Sequence, residues 1–239
     1  MQEAAIDTIN NTDGINIALM KFNEDRSGYG GYVDMPMTPV ADARADFASK
    51  MNSYRATGGT PITESLEESL RYLRGDSVLY GKYGSTYYSD SATRTGGTYN
   101  SPISHQCQKN HVVLFSDGQP SSDTGVNYGI RTAFNALTED EKNVIVTFHT
   151  VGGFVQGSAQ TKLEHIAKYG SWAAPGKPIN PAIQEGNGIY SNVQNYEELK
   201  KSLKDIFDSI AKTSSTFTAP AVSVNAFNNL EHLDQLYYS

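Results

Sequence analysis

The chain has 239 residues, 38% of them hydrophobic and 19% charged, with a formal net charge of −7. That length supports one sizeable core, and a single α/β domain of this size is ordinary. The acidic balance repels phosphate backbones and no basic run offers a local exception, which excludes nucleic acid as a partner class. One cysteine, Cys107, rules out a disulfide within the chain. It reads as a small apolar residue at the foot of a strand or as half of a bond to a cysteine elsewhere. No apolar stretch reaches the roughly 18 residues that a membrane span needs, and the opening MQEAAIDTINN lacks the basic-then-apolar order of a signal peptide.

Residues 2–10 place Ala5, Ile6 and Ile9 on one helical face, with Asn11 and Gly14 as stop signals. INIALMKF, residues 15–22, is short and almost continuously apolar, as suits a strand covered on both faces. After the turn chemistry of NEDRSGYGG comes YVDMPMTP, a strand near a sheet edge because Pro36 cannot donate to a ladder. ADARADFASKMNSYRA is a helix with Phe47, Met51 and Tyr54 on one side. In GGTPITESLEESLRYLRG, Ile62, Leu66, Leu70 and Leu73 form a helical stripe, with Thr60 expected as N-cap, Pro61 as first helical residue and Gly75 as the stop.

Residues 76–107 are rich in Tyr, Ser, Thr and Gly and show no sustained period, so they read as a surface insertion, either a partner-binding loop or a solvated one. HVVLFSDG and VIVTFHTVG are two further apolar strands, separated by a polar loop and a helix around TAFNALTEDE. KLEHIAKYG is another helix, and YEELKKSLKDIFDSIAK carries Leu199, Leu203, Ile206, Phe207 and Ile210 on one face. TAPAVSVNAF then reads as extended. Strands alternating with helices predict an α/β fold with a Rossmann-like, doubly wound, mostly parallel sheet and helices on both faces, where ligands collect at the carboxyl ends of the strands.

Two residues at that rim have metal-ligand chemistry. Asp117 ends HVVLF within SDGQPS, and Thr60 precedes a helix in GGTPI. A carboxylate and a hydroxyl are hard oxygen donors suited to Mg²⁺, which keeps several waters and leaves a place for a partner's carboxylate. Taken singly, each has a plain structural role, in capping or turn formation.

An apolar strand plus SDG, preceded by GGTPI and a helix, resembles the metal-ion-dependent adhesion site of von Willebrand factor type A (VWA) domains. The likeness extends over nearly the whole chain. The sequences CQKNHVVLFSDGQPS and TFTAPAVSVNAFNNLEHLDQLYYS are similar to the PilY family of type IV pilus tip adhesins. The resemblance implies a VWA domain over residues 1–218 with its insertion at about 76–107, then an exit segment at 219–239 leading toward a further domain. It implies that Thr60 and Asp117 ligate Mg²⁺ or Mn²⁺. It also implies a non-enzymatic module that binds pilus minor subunits or host and surface ligands at the cell surface, pilus tip, outer membrane or periplasm. An exported location also suits a composition heavy in Tyr, Ser, Thr, Asn and Gly and light in Lys. The family's site further needs Asp-x-Ser-x-Ser at the end of a first, central strand, and that motif does not occur in this chain. The expectation is therefore a domain lacking that strand, with weak or no metal binding, an open crevice beside HVVLF, and marginal stability.

Other motifs carry less. Asn23, Asp25, Ser27, Gly28 and Asp34 loosely match a calcium loop, but a hairpin turn explains them better, so Ca²⁺ is not expected. Arg74, Gly75 and Asp76 spell the tripeptide that integrins read, a short motif met by chance. Ser121 and Ser122 follow the metal-site aspartate and are candidate partner contacts, with no base nearby in sequence. His149 alternates within an apolar strand and reads as structural; the histidines show no metal-ligand spacing. No nucleophile, zinc or phosphate-loop motif occurs, which argues against an enzyme. The alternative reading is a VWA subunit of a cytoplasmic, ATPase-linked, chelatase-like machine.

Overall fold

The structure is a computed structural model describing residues 1–23, 30–55, 57–104, 108–117, 146–169 and 188–215. In chain order the elements are α1 (Gln2–Asn10), β1 (Asn16–Phe22), β2 (Gly31–Pro39), α2 (Val40–Ser53) and α3 (Ile62–Arg74). Four two-residue strands follow: β3 (Lys82–Tyr83), β4 (Thr86–Tyr87), β5 (Arg94–Thr95) and β6 (Thr98–Tyr99). Then come β7 (Asn110–Ser116), β8 (Val146–Gly153), α4 (Gly157–Tyr169), β9 (Tyr190–Val193) and α5 (Tyr196–Ser215). The helix expected around TAFNALTEDE, the exit segment and Cys107 lie outside the described residues.

The fold is mixed α/β. β7, β8 and β9 form a parallel sheet in that order, and β1 pairs antiparallel with β2 in a separate two-stranded sheet. Of the expected α/β architecture with a mostly parallel sheet, the described residues show the parallel strands β7–β9, with β1 and β2 apart from them. The hairpin turns the chain straight back from Phe22 to Gly31, so β2 runs against β1, and among the described residues β1 and β7 each have a strand on one side only. The backbone N–H of Asn23 donates to Gly30 O at 2.7 Å, so the flanks of the would-be calcium loop close a hairpin.

Helices cover both faces of these strands. On one face α1, α2 and α5 bury Ala4, Ile9, Phe47, Met51, Leu203 and Ile206 against side chains of β1, β2, β8 and β9. On the other face the α3 stripe of Ile62, Leu66, Leu70 and Leu73 packs with Leu114, Phe148 and the α4 residues Leu163 and Ile166. The 3.6-residue period of these stripes is what lets a helix with a charged outer face bury a full row of leucines.

α3 begins one residue later than its sequence suggests. Pro61 occupies the cap position and no side chain caps the helix; instead Thr60 O accepts the Ile62 N–H at 2.9 Å. At the other end Gly75 adopts φ 76, ψ 32, and a Cβ there would lie 3.2 Å from Ser101 Cβ. Left-handed backbone is costly for any residue with a Cβ. Gly75→Ala is expected to lower stability by about 1–2 kcal/mol, read as a urea-midpoint shift at unchanged slope. A variant as stable as the parent would refute this account of the helix stop.

Residues 76–104 differ from expectation. They are built rather than loose: two small hairpins, β3–β4 and β5–β6, flank a 3-10 turn at Ser91–Thr93. Val78 and Tyr99 are buried against Val33 of β2 and Tyr72 of α3. The reason is polar and sits in the core. Glu68 of α3 is 0% exposed and its carboxylate accepts N–H bonds from Leu79, Tyr80 and Gly81 at 2.9–3.3 Å. The Tyr99 hydroxyl also donates to it at 2.7 Å.

Candidate functional site

The parallel strands β7 and β8 deliver their carboxyl ends to one rim. Ser116 is buried at the end of β7, and the next residue, Asp117, is exposed. Asp117 lies beside Gly153, the last residue of β8: a Cβ built on Gly153 would sit 3.9 Å from Asp117 Cβ and 3.0 Å from Phe115 Cζ. The glycine therefore permits the close approach of the two strand ends. Thr60 is half-buried in the turn before α3. Three residues on, Thr63 is 2% exposed and its hydroxyl has no hydrogen-bond partner among the described residues.

Phe154, directly after β8, was not foreseen. It is 68% exposed with φ 58, and its N–H donates to Val193 O at 2.9 Å. An aromatic residue held out in water on a left-handed backbone is a double expense, and such residues cluster at contact surfaces. Nothing in composition or periodicity signals it.

The remaining candidates fall elsewhere. Arg74, Gly75 and Asp76 form the C-terminal cap of α3, where Arg74 Nε pairs with Asp76 Oδ2 at 3.3 Å and Asp76 O accepts the Tyr99 N–H. The tripeptide is thus folded back on itself. Ser121 and Ser122 lie outside the described residues.

Deeper along the strands, away from the rim, His111 of β7 and His149 in the middle of β8 stack with centroids 5.3 Å apart. His149 Nδ1 accepts the Ile189 N–H at 3.1 Å, which leaves its proton on Nε2, facing His111 Nδ1 at 3.1 Å. Burial, with the His111 charge second, pushes the His149 pKa down to about 4. Burial and then Lys109 also lower His111. The pair is a neutral structural contact, in line with the sequence reading of His149.

The Asp117 carboxylate at this rim and the Thr60 hydroxyl before α3 are hard oxygen donors, suited in kind to a hard cation. In number they are few: the described residues include no group of three His, Cys, Asp or Glu side chains able to hold a metal. Among the described residues, no helix is long and apolar enough to cross a membrane. No family model matches the chain, and neither does any curated protein.

Proposed function

We propose that the chain is a non-enzymatic protein-binding module of the VWA type, belonging to a type IV pilus biogenesis and tip adhesin protein, that engages partners at the carboxyl-end rim of β7 and β8. The observation that carries this reading is Asp117, exposed at the end of a parallel strand beside Gly153, with Phe154 standing out next to it. A carboxylate and an exposed aromatic on one rim offer a partner one ionic and one apolar anchor. Thr60 and Asp117 would be the protein's oxygen ligands to Mg²⁺ or Mn²⁺, and the ion would complete its shell with water and a partner oxygen. With two protein ligands, affinity for the bare ion is weak.

Mn²⁺ tests this directly, because its unpaired electrons broaden nearby amide signals even when binding is weak. Added Mn²⁺ is expected to broaden the amides around Thr60 and Asp117 selectively, and Asp117→Ala to abolish the effect. Broadening spread evenly over the acidic surface, or unchanged in the variant, would overturn the metal-site reading.

A further inference from the structure

The amino end of β9 is closed by a side chain. Ile189, directly before β9, is held twice by β8: its C=O accepts the Thr150 N–H at 2.9 Å, and its N–H donates to His149 Nδ1 at 3.1 Å. β9 is four residues long and pairs with Thr150–Gly153. At its far end Val193 O accepts the Phe154 N–H. A ring nitrogen of β8 therefore fixes where this short strand begins.

That nitrogen accepts a hydrogen bond only while it carries no proton. The ring's one proton sits on Nε2, facing His111 Nδ1 at 3.1 Å, so the next proton goes to Nδ1. An imidazolium donates from both nitrogens. The Ile189 N–H would then face another N–H, and neither would have an acceptor. The surroundings offer the charge no compensation. From β7 it meets His111, and Lys109, just before β7, acts on His111 in turn. α1 and α5 cover this face of the sheet with Ala4, Leu203, Ile206 and Ile210. Their charged residues Glu3, Lys204, Asp205 and Asp208 are exposed on the outside, and Asp7 pairs with Lys200.

The neighbourhood already holds unmet bonds. With Nδ1 accepting from His149, His111 keeps its proton on Nε2, and that atom is buried with no partner among the described residues. The Tyr190 hydroxyl of β9 is buried in the same way. Lifting β9 from β8 gives water to the Ile189 N–H and to the Tyr190 hydroxyl together, and it breaks few backbone bonds. We infer that His149 is an acid-operated latch: its protonation releases β9 from β8, beginning at Ile189 and extending to the bond that holds Phe154, while the β7–β8 pair and the α3 stripe stay folded. The inference uses neither the metal ligands nor a partner. His149 titrates at about 4 in the fold, below its ordinary value of about 6.5, so the latch is closed above that window and opens as pH falls through it.

Amide hydrogen exchange on the whole chain tests this, read as protection relative to an unstructured chain at the same pH. The Thr150 and Phe154 bonds set the alternation of the ladder, which turns the N–H groups of Ser191 and Val193 toward β8. From about pH 6.5 to about 4.5, protection at Ile189, Ser191, Val193 and Phe154 is expected to fall roughly tenfold or more. Exchange there is expected to be indifferent to low urea, because a local opening exposes little surface. His149→Asn sets an uncharged amide oxygen near the Nδ1 position and is expected to hold that protection constant over the same range. Protection of β9 that does not change with pH would overturn the inference. So would exchange that rises with urea as steeply as at Leu70, since β9 would then open only with the whole molecule. These two readings need no variant. A His149→Asn chain that loses β9 protection to the same extent would also overturn it, by giving the effect to another group.

Discussion

Glu68→Ala is expected to lower stability by about 3–5 kcal/mol, and Glu68→Gln by less. The carboxylate is fully buried and receives the N–H groups of Leu79, Tyr80 and Gly81 and the Tyr99 hydroxyl. The chain of bonds continues outward: Tyr99 and Ser89 hydroxyls lie 2.7 Å apart, and Ser89 accepts the Val33 N–H of β2. Burial, with the Glu68 charge second, raises the Tyr99 pKa, so its hydroxyl stays protonated and donates. Alanine would strand several donors inside the protein, and each unsatisfied buried group costs about 1–3 kcal/mol. Glutamine keeps one acceptor oxygen but turns an NH₂ toward backbone N–H groups. Urea unfolding gives the stability, and limited proteolysis between residues 76 and 104 shows whether the insertion loosens first. A Glu68→Ala protein within about 1 kcal/mol of the parent, its insertion still resistant, would remove the carboxylate from this role.

Acidification is the second large effect. In the unfolded chain a histidine titrates near its ordinary value of about 6.5, whereas His149 in the fold titrates at about 4. Between these two values the unfolded state binds the extra proton, so stability falls as pH falls through that window. The side chain is 1% exposed, so solvent screening does not discount the shift. The loss amounts to about 1.4 kcal/mol per pH unit, or roughly 3 kcal/mol across the window. The geometry gives the reason: a proton on Nδ1 would point at the Ile189 N–H, and the charge would face His111. His149→Gln should be less stable at neutral pH yet show a flatter dependence on pH between about 6.5 and 4. Parallel pH profiles for the two proteins would assign the acid sensitivity to other groups.

The parts of the fold written in repeating patterns were readable in advance. Ile62, Leu66, Leu70 and Leu73 recur at helical spacing and are all buried in α3, and Leu199, Leu203, Ile206 and Ile210 do the same in α5. HVVLF, a short apolar run before SDG, became β7 with Asp117 exposed at its end. The insertion was not readable, because its order comes from one carboxylate on a distant helix and one tyrosine hydroxyl, and neither leaves a period in the sequence. That β1 and β2 pair with each other apart from β7–β9 depends on which strands find neighbours, which the composition of no single strand states. The residue types of Thr60 and Asp117 are what raised the expectation of a metal site. Phe154 gave no signal, because a positive φ at a phenylalanine is imposed by the Val193 bond and its surroundings. Thr63, buried without a hydroxyl partner, looked like an ordinary helix residue.

The insertion has a fixed base and free tips, and that sets where it can change over evolutionary time. At Gly81, in the base, an added Cβ would collide with Ser89 Oγ and lie 2.7 Å from the Tyr99 hydroxyl. At Gly84 and Gly96, in the hairpin turns, nothing lies within 4 Å. Their backbones, at φ 57 and 61, favour Gly, Asn or Asp but leave unlimited room above. Homologous chains should therefore keep Glu68, Gly81, Ser89 and Tyr99 together as a block while their hairpin tips drift in length and composition. A stretch that resembles low-complexity filler thus divides into a packed socket and two open fingers, and the fingers are where related molecules would diverge in what they touch without refolding.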